Sequence, residues 1–134
     1  MIDIATLTGS IVTALGDQCC GIFSKDESLL QSFKHAAEQS GERVWPMPVW
    51  DEYNKPLESK VADIKHLGGR EAGSITAAKF LEAFVSKSSW LHMDIAGTAY
   101  HIKSKKYLGE GASGYGVRLL WEVIDYLQKM FPKK

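Results

Sequence analysis

The chain has 134 residues, 45% of them hydrophobic and 24% charged, with 16 basic residues balancing 16 acidic ones. That is the length of one ordinary domain, with enough apolar material for a single core. A formal charge of zero removes the general attraction that excess Lys and Arg provide, so neither nucleic acid nor a membrane surface is expected as a partner.

Residues Ile2-Asp3-Ile4-Ala5 read as a strand with one strongly polar position, the pattern of a strand covered on both faces inside an α/β sheet. Gly9 and Ser10 end it, and Ser10 is placed to cap a short helix over 11–15 that stops at Gly16. "CCGIFS" at 19–24 is a second short apolar run. Ser24-Lys25-Asp26-Glu27 then has the S-x-x-E spacing of a capping box. Leu29, Leu30, Phe33, Ala36 and Ala37 follow at helical spacing, and Gly41 sits where a C-terminal cap belongs. His35 in that helix reads as a solvated side chain.

Pro46, Pro48 and Pro56 exclude a regular central strand or a long helix until after residue 56. Trp45, Trp50 and Tyr53 concentrate apolar surface in that irregular stretch. Gly68-Gly69 and Gly73 open the next loop, and Ser74 is placed to cap a helix running to Val85, with the stripe Ala77, Ala78, Leu81, Phe84 and Val85. "WLHMDIAGTAY" at 90–100 is another strand, broken at Gly97 where its end meets a loop. After a Gly-rich gap, Val117, Leu120, Ile124, Leu127 and Phe131 recur at helical spacing and mark a long terminal helix. The basic clusters Lys103-Ser104-Lys105-Lys106 and Lys133-Lys134 read as solvated surface. There are no internal repeats, and one α/β domain, or part of one, accounts for every element.

Ligands of open α/β sheets bind where strand ends meet loops. Two junctions qualify: Thr6-Leu7-Thr8-Gly9 and Ile95-Ala96-Gly97-Thr98-Ala99. Small residues and glycine let a ligand approach the backbone, although tight helix-to-sheet packing favours the same residues. Other motifs carry less. "GGREAGS" at 68–74 lacks the spacing and the lysine of a phosphate-binding loop. His92 and Asp94 lie two apart on a strand and share a face, but two ligands do not hold a metal, and hydrogen-bonding roles are preferred. There is no G-x-S-x-G elbow. Cys19 and Cys20 are adjacent, poorly placed to bridge each other, and without a neighbouring group that would activate a thiolate. No apolar run reaches membrane-span length and no signal peptide precedes the first strand, so a reducing, cytoplasmic setting is expected.

The segments "DIATLTGSIVTALG", "ERVWPMPVWDEY", "VADIKHLGGREAGSITAAKFLEAFV", "WLHMDIAGTAY" and "GASGYGVRLLWEVI" together resemble, in this order, the C-terminal half of the catalytic domain of leucyl aminopeptidases, also called cytosol aminopeptidases. The likeness runs from about Ile2 to Leu127. It implies a mixed, mainly parallel β-sheet flanked by helices, with residues 1–134 forming the C-terminal segment of that domain. It also implies removal of the amino-terminal residue, leucine-like by preference, from peptide substrates by two divalent cations (zinc, manganese or magnesium) that activate a water and polarise the scissile carbonyl. The family assembles as a homohexamer. Its metal ligands are an upstream lysine, two upstream aspartates and the acids of an N-T-D-A-E-G-R motif, whose arginine helps hold a bicarbonate. That motif is absent from these 134 residues and in the family lies shortly before the strand that opens this chain. Residue 1 is therefore expected to fall just downstream of the metal centre, no metal is expected on this chain, and the chain alone is expected to be inactive.

By the same resemblance this segment supplies substrate-pocket walls. Thr6 and Gly9 flank the pocket for the first side chain, and the Leu7 carbonyl accepts a hydrogen bond from the substrate backbone. Ala96 and Ala99 line the pocket from the second junction, with Gly97 and Thr98 shaping the turn. His92 and Asp94 are not metal ligands in the family, and Gly68, Gly69 and Arg70 are taken as structural. The alternative is a stand-alone binding or structural module derived from the family.

Overall fold

A computed structural model of the chain describes residues 1–101 and 109–130. The basic cluster at 103–106, Phe131 and Lys133-Lys134 lie outside the described residues. Four strands, β1 (Ile2–Ala5), β2 (Cys20–Phe23), β3 (Val44–Met47) and β4 (Leu91–Asp94), form one sheet in the order β1-β4-β2-β3. The β1/β4 and β2/β3 pairings are parallel and the central β4/β2 pairing is antiparallel, so the sheet is mixed and mainly parallel, as the motifs imply. Among the described residues four helices flank it: α1 (Gly9–Leu15), α2 (Glu27–Ser40), α3 (Gly73–Glu82) and α4 (Val117–Met130). A 3-10 segment, Asp51–Leu57, follows β3, and two short strands, β5 (Tyr100–His101) and β6 (Gly111–Ala112), pair beyond β4.

The two central strands are buried at every position and send alternate side chains to opposite faces. Cys20, Ile22, Leu91 and Met93 meet Leu30, Phe33 and Ala36 of α2 and Leu119 and Val123 of α4. On the other face Phe23 and Trp90 meet Ile11 of α1, Ile75 and Ala78 of α3, and Val49. The domain is therefore three layers, helices on both faces of a sheet.

The first strand departs from expectation. It is an edge strand in the described structure, not an interior one, and Ile2 and Ile4 stay 37% and 39% exposed. They share a face with Leu91 and Met93, but the cluster that α2 and α4 build over those residues includes no β1 side chain. β3 is the other edge, which is how a strand can contain Pro46: an edge position tolerates the missing ladder donor. Trp45 and Trp50 remain largely exposed, with Trp50 stacked on Tyr53.

Helix ends show where local signals compete. Gly16 and Gly41 terminate α1 and α2 at positive φ, as their positions suggest. The N-caps shift. Thr8, not Ser10, caps α1 by accepting from the Ile11 N–H at 3.1 Å. Asp26, not Ser24, caps α2 by accepting from the Leu29 N–H, while the Ser24 hydroxyl donates to the Trp90 carbonyl at 2.6 Å and accepts from the Asp26 N–H at 3.0 Å. α3 begins at Gly73 behind Ala72 in the left-handed region, with no side-chain cap, and its last regular residue is Glu82; Phe84 and Val85 continue in tighter i→i+3 bonds. Phe84, just past α3, and Val117 and Ile124 on α4 are exposed, so the apolar stripes are only partly core.

Two polar devices tie together segments distant in the chain. The buried Lys79 of α3 pairs with Glu82 and, at 3.3 Å, with Asp51, holding the 3-10 segment against α3. Buried Glu42, in the α2–β3 turn, accepts from the Gly116 and Leu119 N–H groups at 3.0 and 2.9 Å, capping α4 from far away in the chain. Arg118 covers its other oxygen at 3.3 Å.

Candidate substrate-binding site

Because β1 and β4 are parallel neighbours, their C-terminal ends emerge side by side, and the Ile95 N–H donates to the Ala5 carbonyl at 2.9 Å as the strands part. The two junctions chosen from the sequence thus meet at one end of the sheet. Thr6, Leu7 and Gly9 are exposed there, and Ala96 and Ala99 are half-buried. A methyl group built on Gly9 would touch nothing within 4 Å, so this glycine faces open space.

What binds the junctions together is Asp94, only 1% exposed at the end of β4. Its Oδ1 accepts from the Leu7 N–H at 3.1 Å and the Ala96 N–H at 3.2 Å, and its Oδ2 accepts from the Thr8 hydroxyl at 2.7 Å. Thr8 in turn caps α1, so one carboxylate fixes the β1 exit, the start of α1 and the β4 exit. Both oxygens of this buried carboxylate thus have donors. At the other end of α1, Gly97 packs directly against the backbone carbonyl of Gly16, an approach no side chain would permit. Beyond it the Ala99 N–H donates to the Ile95 carbonyl at 2.9 Å and the Ser113 hydroxyl to the Thr98 carbonyl at 2.6 Å, which closes the turn.

His92 shares a face with Asp94 but has different partners. Asp3 on β1 receives the Trp90 indole N–H at 2.5 Å and lies 2.6 Å from His92 Nδ1. His92 Nε2 is buried with no hydrogen-bond partner among the described residues. Asp94 and His92 are thus each committed within the sheet, in the hydrogen-bonding roles preferred above. Among the described residues no three His, Cys, Asp or Glu side chains group so as to hold a cation. The residues described therefore do not fit a two-metal centre.

The thiols are poor nucleophiles. Burial pushes Cys20 up to about 12, against the opposing hydrogen bond from Tyr115, and burial raises Cys19 as well. An open groove of about 880 Å³ lies elsewhere, lined by Ser24, Leu30, Met47, Val49 and Trp50 at the C-terminal ends of β2 and β3. With β2 antiparallel to β4, that is the opposite end of the sheet, and its cation, Lys25, is already paired with Asp51.

The sequence pointed to the five junction residues but not to the carboxylate that couples them. The signal available was Thr8, a capping residue three positions before Ile11; its link to Asp94 spans 86 positions and leaves no local pattern.

Comparisons with known proteins bear on the family and the fold. The model of the cytosol aminopeptidase family, catalytic domain, matches residues 1–121. A probable cytosol aminopeptidase of Geotalea uraniireducens is 52% identical over 128 residues, covering 96% of this chain and 25% of the relative. One of Geobacter sulfurreducens is 50% identical over 128 residues with the same coverage. The structure of a tomato leucine aminopeptidase mutant superposes with a TM-score of 0.86 at 40% identity, over 92% of this chain and 24% of that one. The chain spans about a quarter of the length of these relatives. No described helix is long and apolar enough to cross a membrane. Family model, sequence relatives and fold converge: this chain belongs to the cytosol aminopeptidase family, within its catalytic domain.

Proposed function

We propose that these residues form the substrate-pocket walls of a cytoplasmic metallo-aminopeptidase that releases leucine-like amino-terminal residues from peptides. The observation that carries this reading is the meeting of the β1 and β4 exits at one end of the sheet, where the Leu7 and Ala96 amides share one oxygen of Asp94. The Leu7 carbonyl accepts from the substrate backbone, and the small side chains leave room for a leucine-sized first residue. The divalent cations, zinc, manganese or magnesium, are held by the family's other segments and supply water activation when bound. The whole enzyme is a homohexamer.

The test is an exchange. The 134 residues replace the matching segment of the Geotalea relative, and the chimera and the 134-residue chain are assayed with leucine p-nitroanilide and manganese. The chimera should turn over and the isolated chain should not. A folded but inactive chimera would overturn the pocket assignment, and robust metal-dependent turnover by the isolated chain would overturn the division of roles.

A further inference from the structure

Resting on that reading, we propose that Asp94 is a positioning residue for the reaction: its carboxylate sets the spacing of the two pocket walls and the direction of the Leu7 carbonyl. It touches no substrate in this account and acts through the backbone.

The geometry is specific. One oxygen, Oδ1, takes the amides of both Leu7 and Ala96, so a single atom couples the β1 exit to the β4 exit. The second oxygen takes the Thr8 hydroxyl. Leu7 is thereby anchored on both sides, by its own N–H and by the side chain of the next residue. Peptide planes are rigid, so two anchors around one residue leave its carbonyl little freedom. The anchor itself is held: Asp94 is the last residue of a strand paired on both sides, with Ala5 and with Gly21. An acceptor is required because three donors converge on this side chain in a buried place, and a carboxylate meets them with charge-assisted bonds, shorter and stronger than neutral ones. Packing alone would be satisfied by an apolar residue of this size. The donors are what demand an acceptor.

Two variants separate positioning from mere support. Asp94→Ala removes every acceptor. Asp94→Asn retains one carbonyl oxygen for the two amides and turns its NH₂ toward Thr8 Oγ1, whose second lone pair can accept. In the active chimera, Asp94→Ala should raise KM for leucine p-nitroanilide about tenfold, the worth of one well-placed hydrogen bond, and should narrow the preference for leucyl over alanyl substrate. Asp94→Asn should recover most of both. In the ¹⁵N-labelled 134-residue chain, Asp94→Ala should move the Leu7 and Ala96 amide protons upfield together and speed their exchange, while α2 and α4 amides stay put. If Asp94→Ala does not fold, Asp94→Asn carries the same test, since a neutral acceptor must shift both amides in concert.

Lower kcat with unchanged KM and unchanged leucyl-to-alanyl preference would overturn the proposal, because that is what a smaller folded fraction produces. Independent movement of the two amides would also overturn it, whether or not the chimera is active. An inactive parent chimera, by contrast, defeats the pocket reading while the amide experiment still judges the coupling.

Discussion

Adding a single methyl group at Gly97 should separate packing from pocket lining. A Cβ there would overlap the Gly16 carbonyl oxygen, sit 3.1 Å from its carbon and 3.7 Å from the Asp17 Cα. All three are backbone atoms just past the end of α1, so no side-chain rotation relieves the overlap. Overpacking costs about 1–3 kcal/mol, and a clash against main chain belongs at the upper end, about 3 kcal/mol. With a urea m-value of about 2 kcal/mol/M for a chain of this size, the midpoint of Gly97→Ala should fall by about 1.5 M. The control is Gly9→Ala. Its new methyl meets nothing within 4 Å, and as the first residue of α1 it exchanges glycine for a better helix former. Its midpoint should hold or rise slightly. In the chimera, however, the proposed pocket has Gly9 on its wall, so Gly9→Ala should weaken turnover of leucyl substrate. Urea unfolding of both variants and of the parent, followed by tryptophan fluorescence, measures the first effect. A Gly97→Ala midpoint within about 0.25 M of the parent, corresponding to roughly 0.5 kcal/mol, would refute the close α1–turn contact.

Three further outcomes follow from the same structure. Ala96→Phe in the chimera should reduce activity on leucyl substrate more than on alanyl substrate; equal loss on both would remove Ala96 from the pocket wall. Glu42→Ala leaves the Leu119 and Gly116 amides without their buried acceptor and should cost about 3 kcal/mol in urea unfolding, with Glu42→Gln costing less because one oxygen still accepts. Acid stability should depend on Asp26, whose carboxyl is held below the ordinary value of 3.8 by the Ser89 hydroxyl and then by the Leu29 N–H. A depressed carboxylate contributes stability above the unfolded-state value and loses it as pH falls through the folded one. Asp26→Asn should therefore be less stable than the parent at pH 6, and the gap should close below pH 3.8 as the parent's carboxyl protonates. A gap that stays constant between pH 6 and pH 2 would exclude Asp26 as its source.

Much of this chain was written locally. Gly16 and Gly41 stop their helices because glycine, lacking a Cβ, takes a positive φ at a helix end without a steric clash, and that is a property of one residue and its near neighbours. The periodicity of Leu30, Phe33 and Ala36 marked the buried face of α2 for the same reason. The ordered motifs carried the family, and the strand-then-glycine pattern at 6–9 and 95–99 located the junctions. Tertiary structure decided the rest. Nothing near Ile2 says that it borders β4 on one side only, and nothing near Glu42 says that it caps a helix beginning at Val117. Ser24 had the right spacing for a cap, but its hydroxyl is engaged with the Trp90 carbonyl and the Asp26 N–H, and Asp26 caps the helix instead. Asp94 makes the point most sharply: its strand and its face were readable from alternation, its purpose was not. A buried carboxylate must find donors, and which donors it finds is set only when segments 86 residues apart are brought together.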